Sequence, residues 1–169
     1  MKTFLRICSS VFLIFGLYAL GYADEHFPFL AQVDKESVNV RAGANMNFEI
    51  LDKLKRGAEV VVVGRSFDWY KVELLKTAQA YVRADYLQMR QNLIAQITGD
   101  KVNIRARANS DSASLGQLRQ DDLVKVIKQT NGWYQIEPPA QAAGWIRQDF
   151  LIRSEPNSTP DSVQVKGKS

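Results

Sequence analysis

The chain has few of the side chains that enzymes and metal sites require. Among its 169 residues there is one cysteine, Cys8, and one histidine, His26. Both lie near the N-terminus, outside the repeated part of the chain described below. Catalysis of the Ser-His-Asp or Cys-His kind needs an imidazole held beside a nucleophile, and zinc sites need several His or Cys ligands. The sequence therefore predicts no catalytic residue, no metal, no cofactor and no enzymatic activity.

An excess of one charge is also missing. The formal net charge is +4, and it falls to +2 when residues 1–23, which carry Lys2 and Arg6 and no acid, are left out. Residues 31–87 contain nine Lys and Arg against eight Asp and Glu, and residues 95–151 contain seven against six. Neither segment has the clustered basic face that phosphate contacts need. We therefore expect no nucleic-acid partner.

A long apolar run occurs only at the N-terminus. Residues 1–23 have the parts of a secretory signal: Lys2 and Arg6, an apolar segment over residues 11–20, and small residues before the expected cleavage site. An uncleaved membrane anchor is the alternative, although the run is short for a span. We expect export across the inner membrane to the periplasm or cell envelope, with membrane attachment only if the segment is retained. Because Cys8 precedes the apolar segment, the mature chain has no thiol for a lipid or a disulfide.

What the chain does contain is a repeat. Residues 31–87 reappear without a gap as residues 95–151, at a constant offset of 95 − 31 = 64. Self-similarity at a fixed period indicates copies of one structural unit. The expected division is a leader (24–30), a first domain (31–87), a linker (88–92), a second domain (93–151) and a tail (152–169). The tail is rich in proline and small polar residues, which predicts disorder.

Each repeat is expected to form a small all-β barrel. The Val-rich run 59–63 gives the strongest strand signal, and we expect Val60 and Val62 to point inward. Asn131-Gly132 is a strong signal for a hairpin turn, and it corresponds to Phe67-Asp68 in the first repeat. Five or six such strands, closed into a barrel, protect the edges that a flat sheet of this size would expose.

The order of short motifs within the repeats is informative. The first repeat carries Val-Asn-Val-Arg-Ala-Gly, Leu-Lys-Arg-Gly before the Val-rich strand, Trp-Tyr-Lys-Val and a terminal Tyr-Leu. The second carries Val-Asn-Ile-Arg, Asn-Gly-Trp-Tyr, Gly-Trp-Ile and Asp-Phe-Leu. In this order and spacing they resemble the bacterial Src-homology-3 (SH3b) domain. The resemblance implies two tandem SH3-like barrels, peptidoglycan as the commonest class of ligand, and a ligand groove near the strand tryptophan and the closing aromatic residue.

The candidate binding residues are aromatic and basic. Trp69 and Trp133 stand on the polar side of their strands, so we expect partly exposed indoles, with a place in the core as the alternative. Arg41 and Arg105, which recur at the repeat offset, are expected to pair with the recurring acids Asp85 and Asp149. A carboxylate of a ligand is the alternative partner. The full set of candidates is Trp69, Tyr86, Trp133, Trp145, Phe150, Arg41 and Arg105.

Export, two aromatic-bearing modules and the lack of catalytic groups lead to one functional expectation. The protein is expected to be a non-catalytic binding protein of the cell envelope that recognises peptidoglycan stem or cross-bridge peptides. The alternative is an adaptor or targeting subunit for another envelope protein, such as a cell-wall hydrolase. Two linked modules raise the effective concentration of a weak ligand in either case.

Overall fold

In the computed structural model of the protein, residues 26–154 are described, and they form fourteen β-strands and two short 3₁₀ helices. The first repeat provides β1 (Phe29–Val33), β2 (Ser37–Arg41), β3 (Ile50–Lys55), β4 (Glu59–Ser66), β5 (Trp69–Glu73), β6 (Tyr81–Arg83), the 3₁₀ helix Ala84–Tyr86 and β7 (Leu87–Met89). The second provides β8 (Ile94–Ile97), β9 (Val102–Arg105), β10 (Ser114–Leu118), β11 (Leu123–Thr130), β12 (Trp133–Ile136), β13 (Ala143–Arg147), the 3₁₀ helix Gln148–Phe150 and β14 (Leu151–Arg153).

The all-β architecture predicted from the sequence is confirmed. Val60 and Val62 are buried, with 3% and 0% of their surface exposed. The turn at Asn131-Gly132 joins β11 to β12, and both of its residues have positive φ, as a tight hairpin turn of the preferred hand requires. The expected secretory signal and most of the predicted tail lie outside the described residues.

The strands form two seven-stranded antiparallel sheets, each wrapped around its own apolar core. In one sheet, named barrel 1, the strand order is β14-β1-β4-β5-β13-β2-β3. In the other, named barrel 2, the order is β10-β9-β6-β12-β11-β8-β7. The two SH3-like barrels expected from the sequence are therefore present.

The two repeats exchange their closing strands. β6 and β7 of the first repeat pair with β12, β9 and β8 of the second, while β13 and β14 of the second pair with β5, β2 and β1 of the first. Barrel 2 is consequently one continuous segment, residues 81–136, inserted into barrel 1 between β5 and β13. The barrels in space thus differ from the repeats in sequence. The strands also extend further than the expected domains, because β1 begins in the leader, β7 takes up two residues of the expected linker, and β14 reaches Arg153.

The short connection between the repeats forms a hairpin that joins β7 to β8. Only residues 90–93 separate β7 from β8, and the Arg90 amide donates to the Ile94 carbonyl oxygen at 2.7 Å across the turn. β7 therefore pairs with β8 as a hairpin, in which Met89 opposes Ala95. Pairing β7 with β1 instead would bring together residues nearly sixty positions apart. This one pairing is therefore more local in the observed arrangement, whereas the exchange pairs β5 with β13 and β12 with β6, which are more distant along the chain than β5 and β6 or β12 and β13.

The space around side chains in barrel 1 favours the exchange of closing strands. Gly144 of β13 lies so close to Val40 and Leu74 that an added Cβ would be 2.5 Å from Val40 Cγ1 and 2.7 Å from Leu74 Cδ2. The residue at the equivalent position of the first repeat is Ala80, which is fully buried immediately before β6. Barrel 1 therefore accommodates the closing strand that carries glycine better than the one that carries alanine.

Small apolar residues join the two barrels. One buried cluster contains the core of barrel 2 together with residues from the two crossings between barrels. Its members include three pairs related by the repeat offset: Ala42 and Ala106, Leu51 and Leu115, Ala78 and Ala142. Leu74 packs against this cluster and also against the core of barrel 1. The two barrels are therefore packed against each other through a shared apolar junction.

The connectors that cross between the barrels are also tied by charge. Glu137, at the start of the second connector, pairs with Lys76 of the first connector at 2.9 Å and with Lys125 of β11 at 3.3 Å. Hydrogen bonds from Lys76 and from Lys125 lower the pKa of Glu137. A lowered pKa in the folded state stabilises the fold above the ordinary titration range of the carboxyl group, so this tie weakens only as the pH falls through the lowered value.

Gly116 is required where the second connector meets β10. A Cβ at this position would lie 2.0 Å from the Gln141 carbonyl oxygen, so backbone would have to move. We expect Gly116→Ala to lower the free energy of unfolding by about 1–3 kcal/mol. Urea denaturation measures the loss. Gly64→Ala is the matched control, because its Cβ would meet nothing nearer than 3.9 Å. Equal stability of the two variants would contradict a tight contact at this junction.

Candidate functional site

One concave site lies on barrel 2 and is named the barrel-2 pocket. Its volume is about 260 Å³. Trp133, at the start of β12, is paired in the sheet with Arg83 of β6, which brings a cation beside the indole. Tyr86 follows on the 3₁₀ helix, and the rest of the wall comes from the turn before β9, from β9 itself and from the loop after it. The lining residues are Arg83, Tyr86, Asp100, Lys101, Val102, Asn103, Arg105, Ser110 and Trp133.

A smaller site, named the barrel-1 pocket, occupies the corresponding place on barrel 1. Its volume is about 80 Å³, and it is lined by Ser37, Asn39, Arg41, Met46, Trp69, Arg147 and Phe150. Every one of these residues corresponds, through the repeat offset, to a residue that lines the barrel-2 pocket. The two pockets are therefore equivalent sites on related barrels.

Each pocket is assembled from both repeats because of the strand exchange. In the barrel-2 pocket, Arg83 and Tyr86 come from the first repeat and Trp133 from the second. In the barrel-1 pocket, Trp69 comes from the first repeat, and Arg147 and Phe150 come from the second. The closing aromatic residue of one repeat therefore shares a pocket with the strand tryptophan of the other.

The structure brings six of the seven candidate residues into these pockets. Trp69, Phe150 and Arg41 line one pocket, and Trp133, Tyr86 and Arg105 line the other. Trp145 lines neither pocket. It lies on β13 opposite Arg41 and Lys71, with part of its side chain exposed.

The expected exposure holds for one tryptophan and is wrong for the other. Trp69 is partly exposed, whereas only 9% of Trp133 is exposed. Trp133 is therefore counted among the buried apolar residues of barrel 2, although it also lines the pocket.

The expected pairing of Arg41 and Arg105 with Asp85 and Asp149 is wrong. Arg41 Nη1 donates to the Phe48 carbonyl oxygen at 3.0 Å, and Arg105 Nη1 donates to the Ser112 carbonyl oxygen at 2.8 Å. Each arginine thereby holds the loop that follows its own strand. The acids instead pair with arginines two residues before them, which are nearer along the chain: Asp85 with Arg83, and Asp149 with Arg147 at 2.9 and 3.0 Å.

Several pocket residues were missed by the sequence analysis, although a signal for them existed. Arg83 and Arg147 are identical at the repeat offset, and so are Asn39 and Asn103. Polar and charged residues that recur at equivalent positions indicate a repeated pocket as well as the recurring aromatic residues do. Lys101 carries no such signal, because its equivalent in the first repeat is serine.

The two asparagines differ in their hydrogen bonds. Asn103 Oδ1 accepts a hydrogen bond from Gln117 Nε2 at 3.0 Å. Asn39 Oδ1 is buried and has no partner in the described part of the chain. A buried acceptor without a partner is costly, so the barrel-1 pocket contains one polar atom that a donor would satisfy.

Within residues 26–154, no group of three or more His, Cys, Asp or Glu side chains is arranged to hold a metal ion. In the same residues, no helix has the length and apolarity needed to cross a membrane.

Two small all-β barrels with equivalent surface pockets define a tandem of SH3-like modules. Residues 36–88 and 100–152 both match the bacterial SH3 domain family, and the chain belongs to that family. Each matched segment runs from the second strand of its repeat to the closing strand. The order of motifs typical of the family is thus kept along the chain, although the closing strands lie in the opposite barrels.

A curated relative gives a more distant comparison. The chain is 19% identical over 140 residues to the Bacillus subtilis (strain 168) protein named "Putative N-acetylmuramoyl-L-alanine amidase YrvJ". The similarity covers 78% of this chain but only 27% of the relative, so the chain spans about a quarter of the length of that protein.

Proposed function

We propose that the protein is an exported, non-catalytic binding protein that recognises peptidoglycan stem or cross-bridge peptides through its two equivalent pockets. The observation that carries the proposal is the convergence of a tryptophan, a second aromatic ring and two arginines in each pocket. Aromatic rings offer flat apolar area at a low entropic cost, and arginines offer several hydrogen-bond donors to peptide carbonyl or carboxylate oxygens.

Two further observations support an envelope ligand. The family match concerns bacterial SH3 domains, and the name of the curated relative denotes an amidase that acts on muramoyl peptides. A ligand from the same polymer accounts for the similarity without assigning the chemistry of the relative to this chain. The proposed place of action is the cell envelope, reached through the signal at residues 1–23. Intact-mass measurement of the exported protein tests this, because a mature form that begins at Asp24 shows cleavage.

The packed junction between the barrels gives the proposal a mechanism. Since two crossings of the chain and a shared apolar cluster connect the barrels, the two pockets have a fixed relation to each other. A peptide bound in one pocket therefore presents a neighbouring repeat of the polymer at a defined distance from the other. Each pocket can bind weakly while the pair binds well.

Cosedimentation with purified peptidoglycan sacculi at low ionic strength tests the proposal. We expect Tyr86→Ser combined with Phe150→Ser to lower the apparent affinity about tenfold, because one aromatic ring is removed from each pocket and each ring is worth about 0.5–1.5 kcal/mol. Phe67→Asn is the control. It removes an aromatic side chain that is 91% exposed and lines neither pocket, and it copies Asn131 of the second repeat.

The possible outcomes separate the proposal from its alternative. If the wild-type protein stays in the supernatant, the cell-wall proposal fails. If the wild-type protein does not bind sacculi but recovers one stoichiometric partner protein from envelope extracts, the adaptor function is favoured. Equal losses in the pocket variant and in the Phe67→Asn control would place the binding surface elsewhere. Circular dichroism of each variant excludes unfolding as the cause.

A further inference from the structure

The two equivalent pockets differ in volume, and their equivalent lining residues differ in type at three positions, one of which changes the charge. Lys101, Ser110 and Tyr86 of the barrel-2 pocket correspond to Ser37, Met46 and Phe150 of the barrel-1 pocket. The volume of about 80 Å³ in the barrel-1 pocket equals the space of about three water molecules. The volume of about 260 Å³ in the barrel-2 pocket is just below the lower limit of about 300 Å³ for small-molecule sites, which suits the end of a peptide.

The charge of the barrel-2 pocket is positive by a small margin. Arg83, Lys101 and Arg105 contribute three cations, and Asp100 contributes one carboxylate. Arg83 is also paired with Asp85, just outside the lining. Three cations and two nearby carboxylates leave one positive charge, which matches a ligand with a single negative charge.

Two of these cations keep donors for a ligand. Lys101 is exposed and makes no hydrogen bond or ion pair with any residue in the described range 26–154. Arg105 uses Nη1 to hold the Ser112 carbonyl oxygen, and its guanidinium has further N–H groups. In the barrel-1 pocket, Arg41 is bonded in the same way as Arg105 and Arg147 is paired with Asp149 as Arg83 is with Asp85, but Ser37 replaces the lysine. An anion therefore finds more open donors on barrel 2.

We infer that the barrel-2 pocket binds the terminal carboxylate of a peptide with small side chains, and that the barrel-1 pocket does not. This inference rests on the proposed function, and it specifies that the pocket recognises the terminal carboxylate of the peptide. Lys101 and Arg105 bind the carboxylate, and the last side chain contacts the small exposed part of the Trp133 indole, which lines the same pocket. A dianionic phosphate is disfavoured, because Asp100 and Asp85 stand close to the same cations.

The three indole N–H signals in nitrogen-15 NMR spectra report on the pockets separately. Trp133 reports the barrel-2 pocket, Trp69 reports the barrel-1 pocket, and Trp145 is the internal reference. The probes are trialanine with a free carboxylate and trialanine amide. We expect the Trp133 signal to respond to the free acid at concentrations about fivefold lower than to the amide. Lys101→Ser, which copies the other pocket, should reduce that preference to about twofold, because an exposed ion pair is worth up to about 1 kcal/mol.

A gain-of-function variant tests the same idea in the other pocket. Ser37→Lys combined with Met46→Ser gives barrel 1 the lysine and the space of barrel 2. We expect the Trp69 signal of this variant to respond to trialanine acid at concentrations several-fold lower than in the wild type. Inorganic phosphate is the anion control, and it should move the Trp133 signal less than trialanine acid at equal concentration.

The outcomes distinguish this inference from the proposed function. If acid and amide move the Trp133 signal equally, or if phosphate moves it as much as the acid does, the inference is overturned. The proposed function stands in that case as long as the protein sediments with sacculi. If sacculus binding is absent while Trp133 still prefers the free acid, the proposed function fails and the carboxylate site remains.

Discussion

A chain that ends at Ala142 is expected to lose barrel 1 and keep barrel 2. The residues removed include β13, which lies between β5 and β2 in the middle of the barrel 1 sheet, and β14, which pairs with β1. Ile146, a fully buried part of the barrel 1 core, is lost with them. Barrel 2 keeps all of its strands, because they run without interruption from Tyr81 to Ile136.

The opposite result is expected if each repeat closes its own barrel. The truncation would then remove the last strands of barrel 2 and leave barrel 1 intact. NMR spectra of the truncated chain decide between the two, because Trp69 lies in barrel 1 and Trp133 in barrel 2. We expect the Trp69 signal to move to the position typical of an unfolded chain, and the Trp133 signal to stay dispersed. A dispersed Trp69 signal together with an unfolded Trp133 signal would mean that β6 pairs with β5 of its own repeat and not with β12.

Ile146→Ala is expected to destabilise barrel 1, although the residue belongs to the second repeat. The Ile146 side chain is fully buried among residues such as Val62 and Val72 of the first repeat. Replacing a buried isoleucine with alanine costs about 2–5 kcal/mol, from the lost burial and the cavity that remains. We expect amide hydrogen exchange to accelerate more in β4 and β5 of barrel 1 than in barrel 2. The factor should correspond to the loss in free energy of unfolding.

The matched control for this substitution is Val82→Ala. Val82 occupies the equivalent position of the first repeat and is fully buried in the core of barrel 2. Its truncation should accelerate exchange in β11 and β12, by a smaller factor because fewer methyl groups are removed. If each variant instead loosens the barrel formed by its own repeat, the exchange of closing strands does not occur in solution. Uniform acceleration in both variants would show one cooperative unit joined through the junction.

Much of the local structure could be predicted from the sequence, and the pairing of the halves could not. Strand positions follow from alternation and turn residues, so Val60, Val62 and the Asn131-Gly132 turn were identified correctly. Those signals act over a few residues. Which barrel a closing strand joins depends on contacts such as those of Gly144 with Val40 and Leu74, which bring together distant parts of the chain.

The candidate site was predictable in its composition and only partly in its arrangement. Recurrence at the repeat offset identified the aromatic residues and Arg41 and Arg105, because a pocket built twice leaves the same residue types twice. The partners of these arginines were not predictable, since the carbonyl oxygens they bind belong to loop backbone and have no signature in sequence. The importance of Lys101 emerged only when the structure placed it beside Trp133.

The insertion of one barrel into the other sets the order in which the molecule can be completed. As the chain emerges from the ribosome or from a translocation channel, everything that barrel 2 needs is present once residue 136 is free. Barrel 1 starts earlier but stays incomplete until residue 153, because β13 and β14 are the last of its strands to be made. The strands β13 and β14 therefore complete barrel 1. A chain that ends before them contains only the barrel-2 pocket in complete form.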